Sequence, residues 1–150
     1  MSKKSDNALR LLIVDERVED AEALVSGLRN AGIAVRPVQA ATREDLSAAL
    51  SGPADLVLAA LAVPALPFEE AMQLVTATGK DLPVIAVAER LDETQYDAVL
   101  TAGARGVALR HRPQQVLSRV RNEWEDLDAR RAQRRLEARV RETERRCDAL

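Results

Sequence analysis

Few residues in this 150-residue chain could do chemistry, and the first of them are Asp15 and Glu16. They follow the apolar run "LRLLIV", and adjacent carboxylates at a strand end are hard oxygen ligands of the kind magnesium takes. A second apolar run, "DLVLAALAVPALPF" (55–68), reads as a buried strand entering a proline-containing loop, yet it ends on methyl groups at Ala59 and Ala60. A third, "LPVIAVAE" (82–89), ends at Ala88 and Glu89, and "ARGVALR" ends at Arg110. Such a strand often delivers a reactive carboxylate at its end, and Asp55 cannot serve as one at position 60. At about 3.3 Å per residue of strand it sits roughly 16 Å away, at the opposite strand end. The single histidine, His111, and the single cysteine, Cys147, cannot build a His/Cys zinc site or an internal disulfide. His111 reads as a loop residue and Cys147 as a small apolar contact on a helix.

Composition limits what these groups can serve. A formal charge of -2 exerts no global pull on nucleic acid or acidic membranes. The charge is uneven, with 12 Lys/Arg against 16 Asp/Glu over residues 1–112 and 10 against 8 over 113–150, which suggests two units of different character. Phe68, Tyr96 and Trp124 are the only aromatics, so the core must be aliphatic and a base-stacking platform is excluded. Asp55, Pro64 and Pro67 interrupt the longest apolar stretch, which rules out membrane insertion there. The N-terminus lacks the apolar run of a secretory signal, so a soluble, cytoplasmic protein is expected.

The elements that must position these residues alternate. Strand-like runs at 9–16, 33–40, the first part of 55–68, 82–89 and 104–110 are separated by helical patterns that stop at Gly32, Gly52, Gly79 and Gly103, each glycine a signal for a helix end. Thr42 and Asp45 have capping-box spacing, Pro37 suits an edge strand, and Phe68 should staple a loop to the domain. Five strands alternating with five helices predict an α/β fold, doubly wound around a parallel sheet, with ligands collecting at the carboxyl ends of the strands.

Those strand ends carry a resemblance. Over about residues 9–122 the chain resembles a response-regulator receiver domain of the CheY-like, flavodoxin-like class. The resemblance implies strand order 2-1-3-4-5. "IVDE" supplies the family's acidic pair as Asp15 and Glu16. "ADLVLAALAVP" resembles the segment around the phosphoacceptor aspartate, and its Asp55 and Pro64 put the acceptor position at Ala60. "LPVIAVAE" puts the family's Ser/Thr position at Ala88, while "GARGVALRHRP" puts its lysine at Arg110 and its switch aromatic at Val107. A methyl group at position 60 can neither attack a phosphoryl donor nor ligate a metal. The chain is therefore expected to be a degenerate receiver with no catalytic residue and no cofactor. Asp15 and Glu16 remain as a vestigial pair, either a weak hydrated magnesium site or, the reading adopted, an acidic end held by Arg110 or the next helix. Crowded like charges predict that Asp15→Ala is neutral or mildly stabilising.

From Pro113 onward there is no further Gly or Pro, so a long helix is expected. Val116, Leu117, Val120, Trp124 and Leu127 form one apolar stripe whose early members should pack on the sheet. Beyond Leu127 the phase is expected to slip. Leu136, Val140, Thr143, Cys147 and Leu150 then follow the 4-3-4-3 seam of a coiled coil. Asp126–Arg130, Glu137–Arg141 and Glu142–Arg146 have the spacing of intrahelical ion pairs. These interspersed acids favour a solvated coiled-coil face over a helix that reads nucleic acid.

The expected organisation is a tail (1–8), a pseudo-receiver (9–122) and a connector helix (123–150) leading to further domains. The connector, through Trp124, Leu127, Leu136, Val140, Cys147 and Leu150, is expected to form a homodimer. The degenerate pocket and "RRLEARVRETERRCDAL" resemble the N-terminal region of FimX-type regulators. That likeness implies links to cyclic-di-GMP, type IV pilus partners and the cell pole. Two alternatives are a phosphorelay receiver with an atypical acceptor and an Arg-rich helix that binds nucleic acid.

Overall fold

The computed structural model describes residues 8–148, with side chains through Arg146. Strands β1 (Leu9–Val14), β2 (Val35–Ala40), β3 (Leu56–Ala60), β4 (Val84–Ala88) and β5 (Gly106–Leu109) alternate with five helices. These are α1 (Val18–Asn30), α2 (Arg43–Leu50), α3 (Phe68–Ala77), α4 (Glu93–Thr101) and α5 (Pro113–Asp148). All strand pairs are parallel, in the order β2-β1-β3-β4-β5. The expected strand order and the long terminal helix are both present.

Period-2 alternation builds a core on each side of the sheet. Leu12, Val14, Val57, Ala59, Val84 and Ala86 face α2, α3 and α4 through Leu46, Met72 and Val99, and Phe68, the first residue of α3, is buried in the same cluster. Leu11, Ile13, Leu56, Leu58, Ile85 and Val87 face α1 and α5 through Leu24, Leu28, Val116 and Val120. Burial on both faces explains why the inner strands read as unbroken apolar runs. Pro37 lies in β2 at the sheet edge, where its missing N–H costs no inner ladder bond.

The helix limits follow local chemistry. The Thr42 hydroxyl accepts from the Asp45 N–H at 3.1 Å, capping α2, and Asp92 forms a capping box with Gln95 on α4, each satisfying free N–H groups of a first turn. Gly103 ends α4 at φ 112°, and a Cβ there would sit 3.2 Å from the Met72 methyl. Glycine therefore serves both backbone and packing at this position. Lys80 Nζ donates to the carbonyls of Leu50 and Gly52, satisfying the end of α2. Among the described residues no helix is long and apolar enough to cross a membrane.

The last helix, α5, runs for 36 residues. At about 1.5 Å per residue its length is about 54 Å. It stays docked beyond residue 122: Leu127 is completely buried and Trp124 packs against the α1/α5 core.

Candidate functional site

The carboxyl ends of β1, β3, β4 and β5 surround a depression of about 410 Å³, lined by Asp15, Glu16, Ala60, Ala88, Glu89 and Arg110 among others. The parallel register brings them together: Ala60 is paired with Val87, and Ala88 with Leu109. Ala60 and Ala88 each end their strand and are buried. Methyl groups therefore stand where the third and fourth strand ends meet.

Asp15 is only 4% exposed, and its carboxylate has two partners. One oxygen accepts from the Arg17 backbone N–H at 3.1 Å, which turns the chain into α1. The other accepts from Arg110 Nη2 at 2.9 Å. The Gln39 amide donates to the Asp15 carbonyl at 2.8 Å, and the Arg110 N–H donates to the Ala88 carbonyl at 2.8 Å. Arg110 thus ties the ends of β1, β4 and β5 together, while its Nε and Nη1 are buried without a hydrogen-bond partner among the described residues. Glu16, next in sequence, is exposed. Asp15 and Glu16 therefore do not act as a matched pair: one carboxylate is neutralised by an internal cation and the other faces water. Among the described residues no three His, Cys, Asp or Glu side chains gather as a metal-binding group.

Val107 is buried on the inner face of β5, below a 630 Å³ groove between α4 and α5 that Tyr96, Leu109, Gln115 and Arg119 help to line. His111 is an exposed turn residue. Leu136 and Val140 are 60% and 55% exposed on α5. The side chain of Cys147 and the whole of Leu150 lie outside the described residues.

A second charged centre, at the opposite ends of the strands, escaped the sequence reading. Asp55, 2% exposed, accepts from the Arg10 backbone N–H at 2.8 Å and pairs with Arg131 Nη1 at 2.9 Å. Asp81, just before β4, takes a two-pronged pair from Arg130 at 2.8 and 3.1 Å and a further one from Arg134 at 2.6 Å. Hydrogen bonding from Arg130 holds the Asp81 carboxyl below the usual carboxylate range, outweighing the opposing effect of its partial burial. The same bond raises Arg130. Asp126 also pairs with Arg130, and Glu142 with Arg146 at 3.0 Å. Glu137 instead accepts from Gln133, and Arg141 donates to the Glu137 carbonyl, so the expected Glu137–Arg141 pair does not form.

The sequence signal for this strap was present. At about 100° per residue from Leu127, the positions Val116, Val120, Arg131 and Arg134 all lie within roughly 40° of one line. The docked stripe does not slip after Leu127. It changes from apolar to cationic as α5 passes from the sheet's flank to the amino-terminal ends of β3 and β4, where Asp55 and Asp81 lie.

No protein-family model matches the chain, and no curated protein matches it. Solved structures do. A response-regulator receiver domain (CheY-like) from Methanospirillum hungatei superposes with TM-score 0.69 at 18% identity, covering 82% of this chain and 98% of that one. The signal receiver domain of a LuxO repressor protein from Vibrio parahaemolyticus gives 0.73 at 12%, covering 83% and 96%. The fold is that of a receiver domain. A yeast Spc42 trimeric coiled-coil segment fused to another structure also gives 0.73, at 19% identity, covering 91% of this chain and 92% of that one. At these identities the likeness establishes the fold.

Proposed function

We propose that the chain is a pseudo-receiver, a signalling module that accepts no phosphate and has no enzymatic activity, and that works by protein contact and by pairing with a second copy. The observation that carries this reading is Ala60 at the end of β3, in the depression that Asp15 and Arg110 share. A phosphoryl acceptor needs a nucleophilic side-chain atom, which the methyl group of Ala60 lacks, and the hydroxyl that would hold the transferred group is missing at Ala88 as well. Arg110 supports the reading from another side. Its pairing with Asp15 supplies internally the positive charge that a divalent ion would bring.

The exposed apolar positions Leu136 and Val140 supply the contact surface for self-association. The FimX-type resemblance extends the proposal to a multidomain regulator linked to cyclic-di-GMP and type IV pilus motility, with any nucleotide chemistry residing in other domains. The engagement of Arg130, Arg131 and Arg134 by Asp55 and Asp81 disfavours the nucleic-acid alternative, since these cations are already turned toward carboxylates of the chain's own domain.

Incubation with a small phosphodonor and magnesium, followed by intact mass spectrometry, tests the central point. The expected result is an unchanged mass. A stoichiometric phosphate adduct mapped to any carboxylate of the depression would overturn it and restore the atypical-acceptor alternative.

A further inference from the structure

Resting on the proposed pairing through α5, we infer that two copies associate in parallel and in register, with their receiver folds carried on the outer sides of the helix pair. The first ground is direction. The stripe that docks α5 on its own domain runs through Val116, Val120, Leu127 and Arg131, all partly or wholly covered. Leu136 and Val140 lie roughly 180° and roughly 220° around the helix from Leu127 at about 100° per residue. Their exposures of 60% and 55% agree with that placement. Because Arg130, Arg131 and Arg134 are held by Asp55 and Asp81, the helix cannot roll freely, and the seam stays turned away from the domain. A second helix can reach it without meeting the first receiver fold.

The second ground is charge. With Leu136 and Thr143 at d positions and Val140 at an a position, Glu137 and Glu144 occupy e, while Arg139 and Arg146 occupy g. All four are exposed. In a parallel pair, g of one helix meets e of the next heptad on its partner, so Arg139 of each chain faces Glu144 of the other. In an antiparallel pair g faces g and e faces e, setting arginine against arginine and glutamate against glutamate. The pattern attracts in one orientation and repels in the other.

Sedimentation velocity of the full chain over a concentration series into the millimolar range tests this, with far-UV circular dichroism checking that each variant stays folded. Expected results are self-association of the wild type, its loss in Val140→Asp, and several-fold weakening by Arg139→Glu. The double variant Arg139→Glu/Glu144→Arg should restore it, because the pair is then reversed and still attractive. Association that Val140→Asp abolishes but Arg139→Glu leaves unchanged overturns the parallel register and leaves the pairing itself intact. A wild-type chain that stays monomeric overturns both readings, and a mass of three chains overturns the twofold stoichiometry. In a Cys147→Ser background, Val140→Cys should form an interchain disulfide under mild oxidation. Persistent association without that cross-link counts against the register as well.

Discussion

Arg110 stands at the centre of the residue-scale picture. Asp15 is buried, and a buried charge is tolerated only when paired and hydrogen-bonded. Arg110 and the Arg17 N–H meet that need. Replacing the arginine by an apolar side chain of similar length, Arg110→Met, leaves the carboxylate uncompensated. The expected loss is roughly 2–4 kcal/mol in urea unfolding, somewhat below a fully buried pair because the guanidinium keeps some solvent contact. The geometry also reverses the sequence-based expectation for Asp15→Ala. The carboxylate is a partner rather than a crowded like charge, so its removal leaves the Arg110 guanidinium without its acceptor and should destabilise by about 2 kcal/mol. An unchanged midpoint for both variants would mean that water replaces each lost contact.

At the scale of the element, α5 is held by two kinds of force in succession. Its first turns bury Val116 and Val120 against the sheet, and its middle turns bring arginines to the carboxylates that precede β3 and β4. Single exposed ion pairs contribute little. Asp81, however, gathers a two-pronged pair from Arg130 and a second cation, Arg134, and Asp55 is nearly inaccessible to water, the arrangements in which such pairs are strongest. Asp81 binds its proton less tightly in the folded chain than in the unfolded one. The strap's contribution is therefore complete above the ordinary carboxylate range and is lost as pH falls through the lowered folded value. The thermal midpoint of Asp81→Asn should lie below that of the wild type at neutral pH, and the gap should close as pH drops below roughly 4. A gap that stayed constant into acid would assign the effect to something other than this titration.

For the whole molecule, the strap predicts a folded unit that extends past residue 122. A chain ending at Asn122 loses Trp124, fully buried Leu127 and every arginine of the strap. Burial of one leucine stabilises by about 2–3 kcal/mol, and leaving Asp55 with Arg10 alone adds to the loss. Such a chain should melt ~10 °C or more below the full length, whereas one ending at Arg135 should melt within a few degrees of it and lose only self-association. Thermal scans of the two truncations decide between a domain that ends before Trp124 and one that ends after Arg134. The same comparison separates folding from pairing, since the proposed seam begins at the exposed Leu136.

Sequence alone determined the alternation of strands and helices, the strand ends at which chemistry would gather, and the methyl groups found at two of them. These are local facts: apolar runs of strand length, glycines that end helices, and residue types that lack oxygen do not depend on where the chain goes next. Only the tertiary structure decided that Arg110 crosses 95 positions of sequence to reach Asp15, and that Arg130, Arg131 and Arg134 meet Asp81 and Asp55. A run such as "ARRAQRR" reads as a solvated face because periodicity counts charged residues as polar wherever they point. Which face is covered depends on carboxylates contributed from far along the chain, and their proximity is created by the parallel sheet rather than by any neighbouring residue.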